Sequence, residues 1–156
     1  MTDSQQPPRE ELPQLCLDSQ LCFPLYAAAR KAVNHYTPFL KPLGLTYTQY
    51  IVMLALWEKE NATVGDLCRR LYLDNGTVTP LLKKLEEAGY VARSRSRQDE
   101  RVVTVAATEK GWELRGRVRE IPAQVGGCIP LEKKEAQTLC TLLRKLMQSD
   151  LDGALE

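Results

Sequence analysis

The 156-residue sequence predicts a mainly α-helical fold carrying one small β-hairpin. Three observations predict it. Apolar residues recur at helical spacing through most of the chain, as in Leu81, Leu82 and Leu85, and again in Leu139, Leu142, Leu143 and Leu146. One stretch, from Tyr90 to Ala106, changes to the alternation and β-branched content of strands. Prolines and glycines cut the helical stretches into ordinary helix lengths.

Residues 1–16 contain Pro7-Pro8 and many polar side chains, which predicts a flexible tail, and they lack the basic and apolar regions of a signal peptide. A first helix is expected from about Leu21 to about Phe39, capped by Asp18 or Ser19. Pro24 requires that the regular helix start close to Cys22 or bend there. Pro38, Pro42 and Gly44 punctuate the next stretch. Thr46-Tyr47-Thr48-Gln49 fits a capping box and opens a second helix, whose run from Tyr50 to Trp57 is apolar nearly all round, as a buried helix is.

A third helix is expected from Thr63 to about Leu73, with Leu67 and Leu71 on one face. Asp74-Asn75-Gly76 signals a tight turn before a fourth helix that runs to Ala88 and stops at Gly89. Pro80 is easily held in that helix if Thr77 is the cap, and less easily if Asp74 is. The hairpin follows: Arg93 to Arg97 alternates, Gln98-Asp99-Glu100 turns, and Arg101 to Ala106 returns. Thr108 caps a charged helix from Glu109 to about Ile121, broken or bent by Pro122 and Gly126-Gly127. A last helix is expected from Leu131 to about Gln148.

Composition narrows the function classes. No apolar run is long enough for a transmembrane helix, so a cytoplasmic protein without a membrane partner is expected. The five cysteines are odd in number and form no Cys-x-x-Cys pair. With a lone His35 they make a poor zinc set, so no metal or cofactor is expected. A net charge of +1 does not announce a nucleic-acid binder, and a DNA-binding face must come from local arrangement.

That arrangement is present in the order of elements. Two helices at 63–73 and 77–88, joined by a turn and followed by a hairpin, have the order of a winged helix-turn-helix. Asn75, Thr77 and Thr79 are the small polar residues suited to a major groove, and Lys83 and Lys84 are placed for phosphates. Arg93, Arg95, Arg97 and Arg101 surround the hairpin tip and suit phosphate or minor-groove contact. For the hairpin alone, charges that only prevent edge-to-edge pairing are an equal reading; the helix pair in front of it favours DNA.

Cys22 adds a second theme. It lies near a helix start, where unpaired N–H groups stabilise a thiolate, and tyrosines 26, 36, 47 and 50 follow. On residues alone it reads either as a redox sensor or as a buried, inert cysteine.

The block Leu71 to Glu86 and the wing Arg93-Ser94-Arg95-Ser96-Arg97-Gln98-Asp99-Glu100-Arg101, with its Asp-x-Arg element at Asp99 and Arg101, resemble the MarR family of winged-helix repressors. Leu21-Cys22-Phe23-Pro24-Leu25-Tyr26 and Leu45-Thr46-Tyr47-Thr48-Gln49-Tyr50 narrow the resemblance to its organic-hydroperoxide-resistance branch, two-cysteine type, over about Leu17 to Met147. The resemblance implies a homodimer that binds a pseudo-palindromic double-stranded DNA operator when reduced. It implies helical dimerisation regions at 17–45 and 108–148 around a winged helix-turn-helix at 46–107. It further implies that an organic hydroperoxide oxidises Cys22 to a sulfenic acid. Tyr36 and Tyr47 of the other subunit would bond the thiolate, with Tyr26 nearby, and Cys128 would resolve the acid as an intersubunit disulfide. Phe23, Val33 and Trp57 are expected as apolar neighbours favouring alkyl peroxides. Cys16, Cys68 and Cys140 match nothing in the branch; Cys68 is expected in the core and Cys140 in helix packing.

The alternative is a MarR-type repressor that answers a non-covalent small aromatic ligand, with Cys22 incidental. A thiol peroxidase would leave the winged helix unexplained, so no enzyme is expected.

Overall fold

The computed structural model describes residues 12–95 and 102–148. The chain divides into two compact units, Met1–Ile121 and Pro122–Glu156. In the first unit, two short 3-10 turns at Pro13–Leu15 and Leu17–Ser19 precede helix α1 (Cys22–Leu40). Asp18 and Ser19 therefore belong to a turn and do not cap α1; the residue ahead of the helix is Leu21, without a side-chain cap. Pro24 falls in the first turn, where its missing N–H has no helical partner to lose. Of the two options for Pro24, the helix starting at Cys22 is the one adopted.

Helix α2 (Tyr47–Glu58) opens with the expected capping box: Thr46 Oγ1 accepts from Gln49 N at 3.2 Å, and Gln49 Oε1 accepts from Thr46 N at 2.8 Å. It is the centre of the unit. Tyr50, Val52, Met53, Ala55 and Leu56 are buried, and the helix packs against α3 (Val64–Leu71), α4 (Asn75–Glu87) and α5 (Glu109–Val118). Leu67, Val78, Leu82, Leu85 and Leu114 close the core around it.

The hairpin is real, but it is part of a three-stranded antiparallel sheet. β1 (Asn61–Thr63), absent from the sequence reading, pairs with β3 (Val103–Ala107), which also pairs with β2 (Val91–Arg95), giving the order β1-β3-β2. In register, Ser94 lies opposite Thr104 and their hydroxyls meet at 2.8 Å.

Two helix starts settle open points. Asp74, not Thr77, caps α4, with its carboxylate accepting from Thr77 N at 2.8 Å and from the Thr77 hydroxyl at 2.9 Å. Pro80 therefore lies inside α4. Thr108 caps α5 as expected, accepting from Gly111 N at 3.1 Å while donating to the Gly89 carbonyl at 2.6 Å. The helix expected from Glu109 to about Ile121 ends three residues sooner, and the break expected at Pro122 falls just before Ile121. α5 ends at Val118, and α6 (Ile121–Gly127) begins with Pro122 in its first turn, a place that suits proline.

The second unit holds the rest of α6 and α7 (Lys133–Met147), which starts two residues later than expected. Glu135 accepts from the Glu132 N–H at 2.8 Å and fixes that start. α7 leaves Leu139, Leu142 and Met147 exposed, and Cys140 is exposed rather than packed.

Candidate functional site

The thiol region begins at the first turn of α1. Cys22 is its first residue, exposed, beside backbone N–H groups that have no intrahelical acceptor. Tyr26 lies one turn on, on the same side of the helix, and its hydroxyl accepts from Arg30 Nη1 at 3.0 Å. Tyr36 is fourteen residues farther along α1 than Cys22, about 21 Å of helix rise. It meets instead the start of α2: its ring centroid is 4.9 Å from that of Tyr47 and 5.7 Å from that of Tyr50.

Three phenols thus form a cluster where α1 and α2 approach each other, and Cys22 stands at the opposite end of α1. Burial, with the neighbouring Tyr36 phenol second, pushes the Tyr47 and Tyr50 hydroxyls above the ordinary tyrosine pKa. They are protonated donors throughout the physiological range. Tyr50, which belongs both to the buried run of α2 and to the tyrosines named with Cys22, is buried, and its ring centroid lies 6.3 Å from that of Tyr47.

Cys128 lies just past α6, exposed, and its thiol donates to the Gln124 carbonyl at 3.4 Å. Trp57 is not beside the phenols. It lies ten residues beyond Tyr47 on α2, about 15 Å away. Its indole N–H donates to the Gly111 carbonyl at 3.0 Å, which ties α2 to α5. Phe23 is exposed and Val33 half-buried on α1.

The second constellation is on α4 and β2. Asn75 is the first residue of α4; Thr79, one turn later, lines with it a groove of about 440 Å³ that Arg93 and Val103 also border. Thr77 is engaged in the cap, and its hydroxyl bond, followed by its backbone N–H, holds the Asp74 carboxyl below the usual carboxylate range. Lys83 and Lys84 are exposed on α4, and Arg95 is exposed at the end of β2.

Arg93 has a different surrounding from the one its strand pattern suggested. Its guanidinium bonds Glu86 of α4, with Nε donating to Oε2 at 2.9 Å and Nη2 to the same oxygen, while its backbone N–H donates to Oε1 at 3.3 Å. The Arg93 bond holds the Glu86 carboxyl below its ordinary pKa. Arg93 therefore fastens the hairpin to α4. Arg97, Asp99 and Arg101 lie outside the described residues.

Cys68 also differs from its expected place in the core. It is half-buried, not core, and its thiol donates to Asn75 Oδ1 at 3.3 Å. No local signal would have found this, because the contact depends on how the turn between α3 and α4 closes.

A helix pair followed by the β2-β3 hairpin, with β1 ahead of the pair completing the sheet, defines a DNA-binding winged-helix regulator. The family described as transcriptional regulator SarA/Rot matches residues 34–117, and the chain belongs to that family of winged-helix regulators, of the MarR type. It is 40% identical over 133 residues to the organic hydroperoxide resistance transcriptional regulator of Bacillus subtilis, covering 85% of this chain and 90% of that protein. It is 47% identical over 123 residues to the HTH-type transcriptional regulator TtmR of Methylorubrum extorquens, covering 79% of this chain; the chain spans only 63% of the length of that relative.

Among solved structures, reduced AbfR bound to DNA superposes with a TM-score of 0.77 at 35% identity, covering 92% of this chain and 98% of that one. The disulfide-formed state of AbfR, a protein of Staphylococcus epidermidis, superposes with 0.60 at 34% identity, covering 87% and 96%. The chain is thus a transcriptional regulator of the MarR type, and the relatives it matches are transcriptional regulators. No helix among the described residues is long and apolar enough to cross a membrane.

Proposed function

We propose that the protein is a cytoplasmic repressor that binds a pseudo-palindromic operator as a reduced homodimer and releases it when an organic hydroperoxide oxidises Cys22. One observation carries the reading: Cys22 is exposed at the start of α1, while the phenol donors suited to its thiolate cluster about 21 Å farther along. A single chain cannot bring the two together. Two copies with α1 helices side by side and antiparallel can, each supplying Tyr36 and Tyr47 to the cysteine of the other and its own Tyr26 from one turn away. The regulators to which the chain is similar include one of organic hydroperoxide resistance and one known in reduced, DNA-bound and disulfide states, which supports the same reading.

The chemistry balances without a cofactor. The Cys22 thiolate attacks the terminal oxygen of the peroxide, the O–O bond breaks, and the alcohol leaves. Sulfur loses two electrons and becomes a sulfenic acid. The thiol of Cys128 in the second copy then displaces water from it and forms the disulfide. Disulfide geometry needs Cα atoms within about 7 Å, so if the two thiols start farther apart, closing the bond moves helices and changes the spacing of the two α4 helices. Asn75, Thr79, Lys83, Lys84 and Arg95 make the DNA face, with Thr77 shaping the start of α4 and Arg93 fixing the wing to it. Arg97, Asp99 and Arg101 belong to the proposed DNA-contacting set by their sequence alone.

Mass spectrometry after one equivalent of cumene hydroperoxide tests it. A sulfenic acid or disulfide at Cys22 is expected, with DNA release in wild type and none in Cys22→Ser. An unmodified Cys22, with release only by reversible ligands, would sink the proposal in favour of a non-covalent effector. In Cys128→Ser, oxidation of Cys22 is expected without the cross-linked dimer band on non-reducing gels.

A further inference from the structure

Cys68 stands where the helix pair bends. Its backbone carbonyl accepts the N–H of Tyr72 and, at 3.0 Å, that of Leu73, which closes the turn after α3. Tyr72 adopts a left-handed φ of 53° to make those bonds. The Cys68 side chain crosses the same turn in the other direction, where Sγ donates to Asn75 Oδ1 at 3.3 Å. Asn75 is the first residue of α4 and is exposed.

An asparagine amide offers one acceptor oxygen and a two-donor NH2 group, and the two point about 120° apart. An unrestrained amide at this position presents either end to DNA with similar ease. With the oxygen directed back to the thiol, the NH2 group is directed outward. We propose that Cys68 is a positioning residue for base reading. It biases the Asn75 amide so that α4 offers a hydrogen-bond donor to the major groove.

The base edges that match are acceptors: guanine N7 and O6, adenine N7, or thymine O4. A cytosine, which offers its N4 donor there, is disfavoured. A thiol is a weak donor, so the bond sets a preference between two amide orientations rather than a lock. This inference rests on the reading of α4 as the helix that enters the groove, and it concerns specificity rather than affinity.

Selection of bound sequences from a random duplex pool, done under reducing conditions on the full chain, tests it with wild type, Cys68→Ala, Cys68→Ser and Asn75→Ala. Wild type is expected to prefer an acceptor-bearing base at one position of each half-site. Cys68→Ala should lose that preference about three- to tenfold, toward the Asn75→Ala level, while other positions and the salt dependence stay unchanged. Cys68→Ser, which keeps a hydroxyl donor, should retain it. A purely structural role would weaken binding at all positions alike and would not be rescued by serine selectively.

Cys68→Ala with the wild-type preference, while Asn75→Ala loses it, would overturn the positioning role. Unchanged preference in Asn75→Ala would overturn Asn75 as the reader. If wild type enriches no sequence at all, the reading of α4 fails first, and Cys68 falls with it. Peroxide release through Cys22 is expected to persist in both Cys68 variants, which separates this role from the redox switch.

Discussion

A methyl group added at Gly111 would stand 2.1 Å from the Tyr90 carbonyl oxygen and 3.3 Å from Met53 Cε. The first neighbour is backbone, held in place because the same carbonyl accepts the Thr108 N–H at 3.0 Å. The Gly111 carbonyl in turn accepts the Trp57 indole. Gly111→Ala is therefore expected to lower stability by about 1–3 kcal/mol or more, read as a lower urea midpoint with an unchanged slope. A midpoint within error of wild type would mean that the close approach of α5 to Tyr90 is not rigid. At this scale the sequence disclosed chemistry better than surroundings. Cys22, Tyr36 and Tyr47 stood out because thiols and phenols have distinctive reactions. Gly111, Cys68 and Arg93 gave no warning, because their roles depend on groups that folding alone brings near: Tyr90, Asn75 and Glu86.

Helix starts show the same division among elements. Thr46 and Gln49 could be read as a box because both partners lie within four residues of sequence. β1 could not, because three residues carry no period and its partner β3 lies more than forty residues away. Thr108 belongs to both kinds: its cap on Gly111 is local, while its donation to Gly89 binds the end of α4 to the start of α5. Thr108→Ala is expected to cost about 1–2 kcal/mol, and Thr108→Ser to restore most of it, in parallel thermal melts. Equal stability of the two variants would mean that the hydroxyl contributes nothing. The carboxylate caps add a pH dependence. Asp74 and Asp66 are both held below their unperturbed value of 3.8, chiefly by hydroxyl bonds from Thr77 and Thr63. Their stabilisation is complete above that value and is lost as pH falls through the lower folded-state pKa. Asp74→Asn keeps a capping oxygen without the titration. The gap in melting temperature between wild type and this variant is therefore expected to narrow from pH 6 to pH 3. A constant gap would show that Asp74 does not titrate with folding.

For the whole molecule, the proposed function depends on a second copy. Leu139 and Leu142 of α7 are 42% and 59% exposed, and Leu21 and Phe23 at the head of α1 are exposed as well. The exposed leucines of α7 fit a surface for a second copy in the proposed dimer. In the proposed switch, the separation of Cys22 from the phenols along α1 calls for a second copy as well, and so does the proposed palindromic operator, since two α4 helices would enter grooves about 34 Å apart. The net charge of +1 gives little unspecific attraction to DNA, so one half-site should bind weakly. These three dependences make one prediction. Leu139→Asp with Leu142→Asp is expected to shift sedimentation from dimer to monomer at micromolar concentration while circular dichroism keeps the helical content. Operator affinity should fall by at least a hundredfold, because the two half-sites no longer share one protein. Oxidation of Cys22 by cumene hydroperoxide should slow as well, because the phenols of the second copy are removed from the sulfur. If the variant is monomeric but reacts at the wild-type rate, the thiolate is activated within its own chain, and Tyr26 becomes the phenol to test.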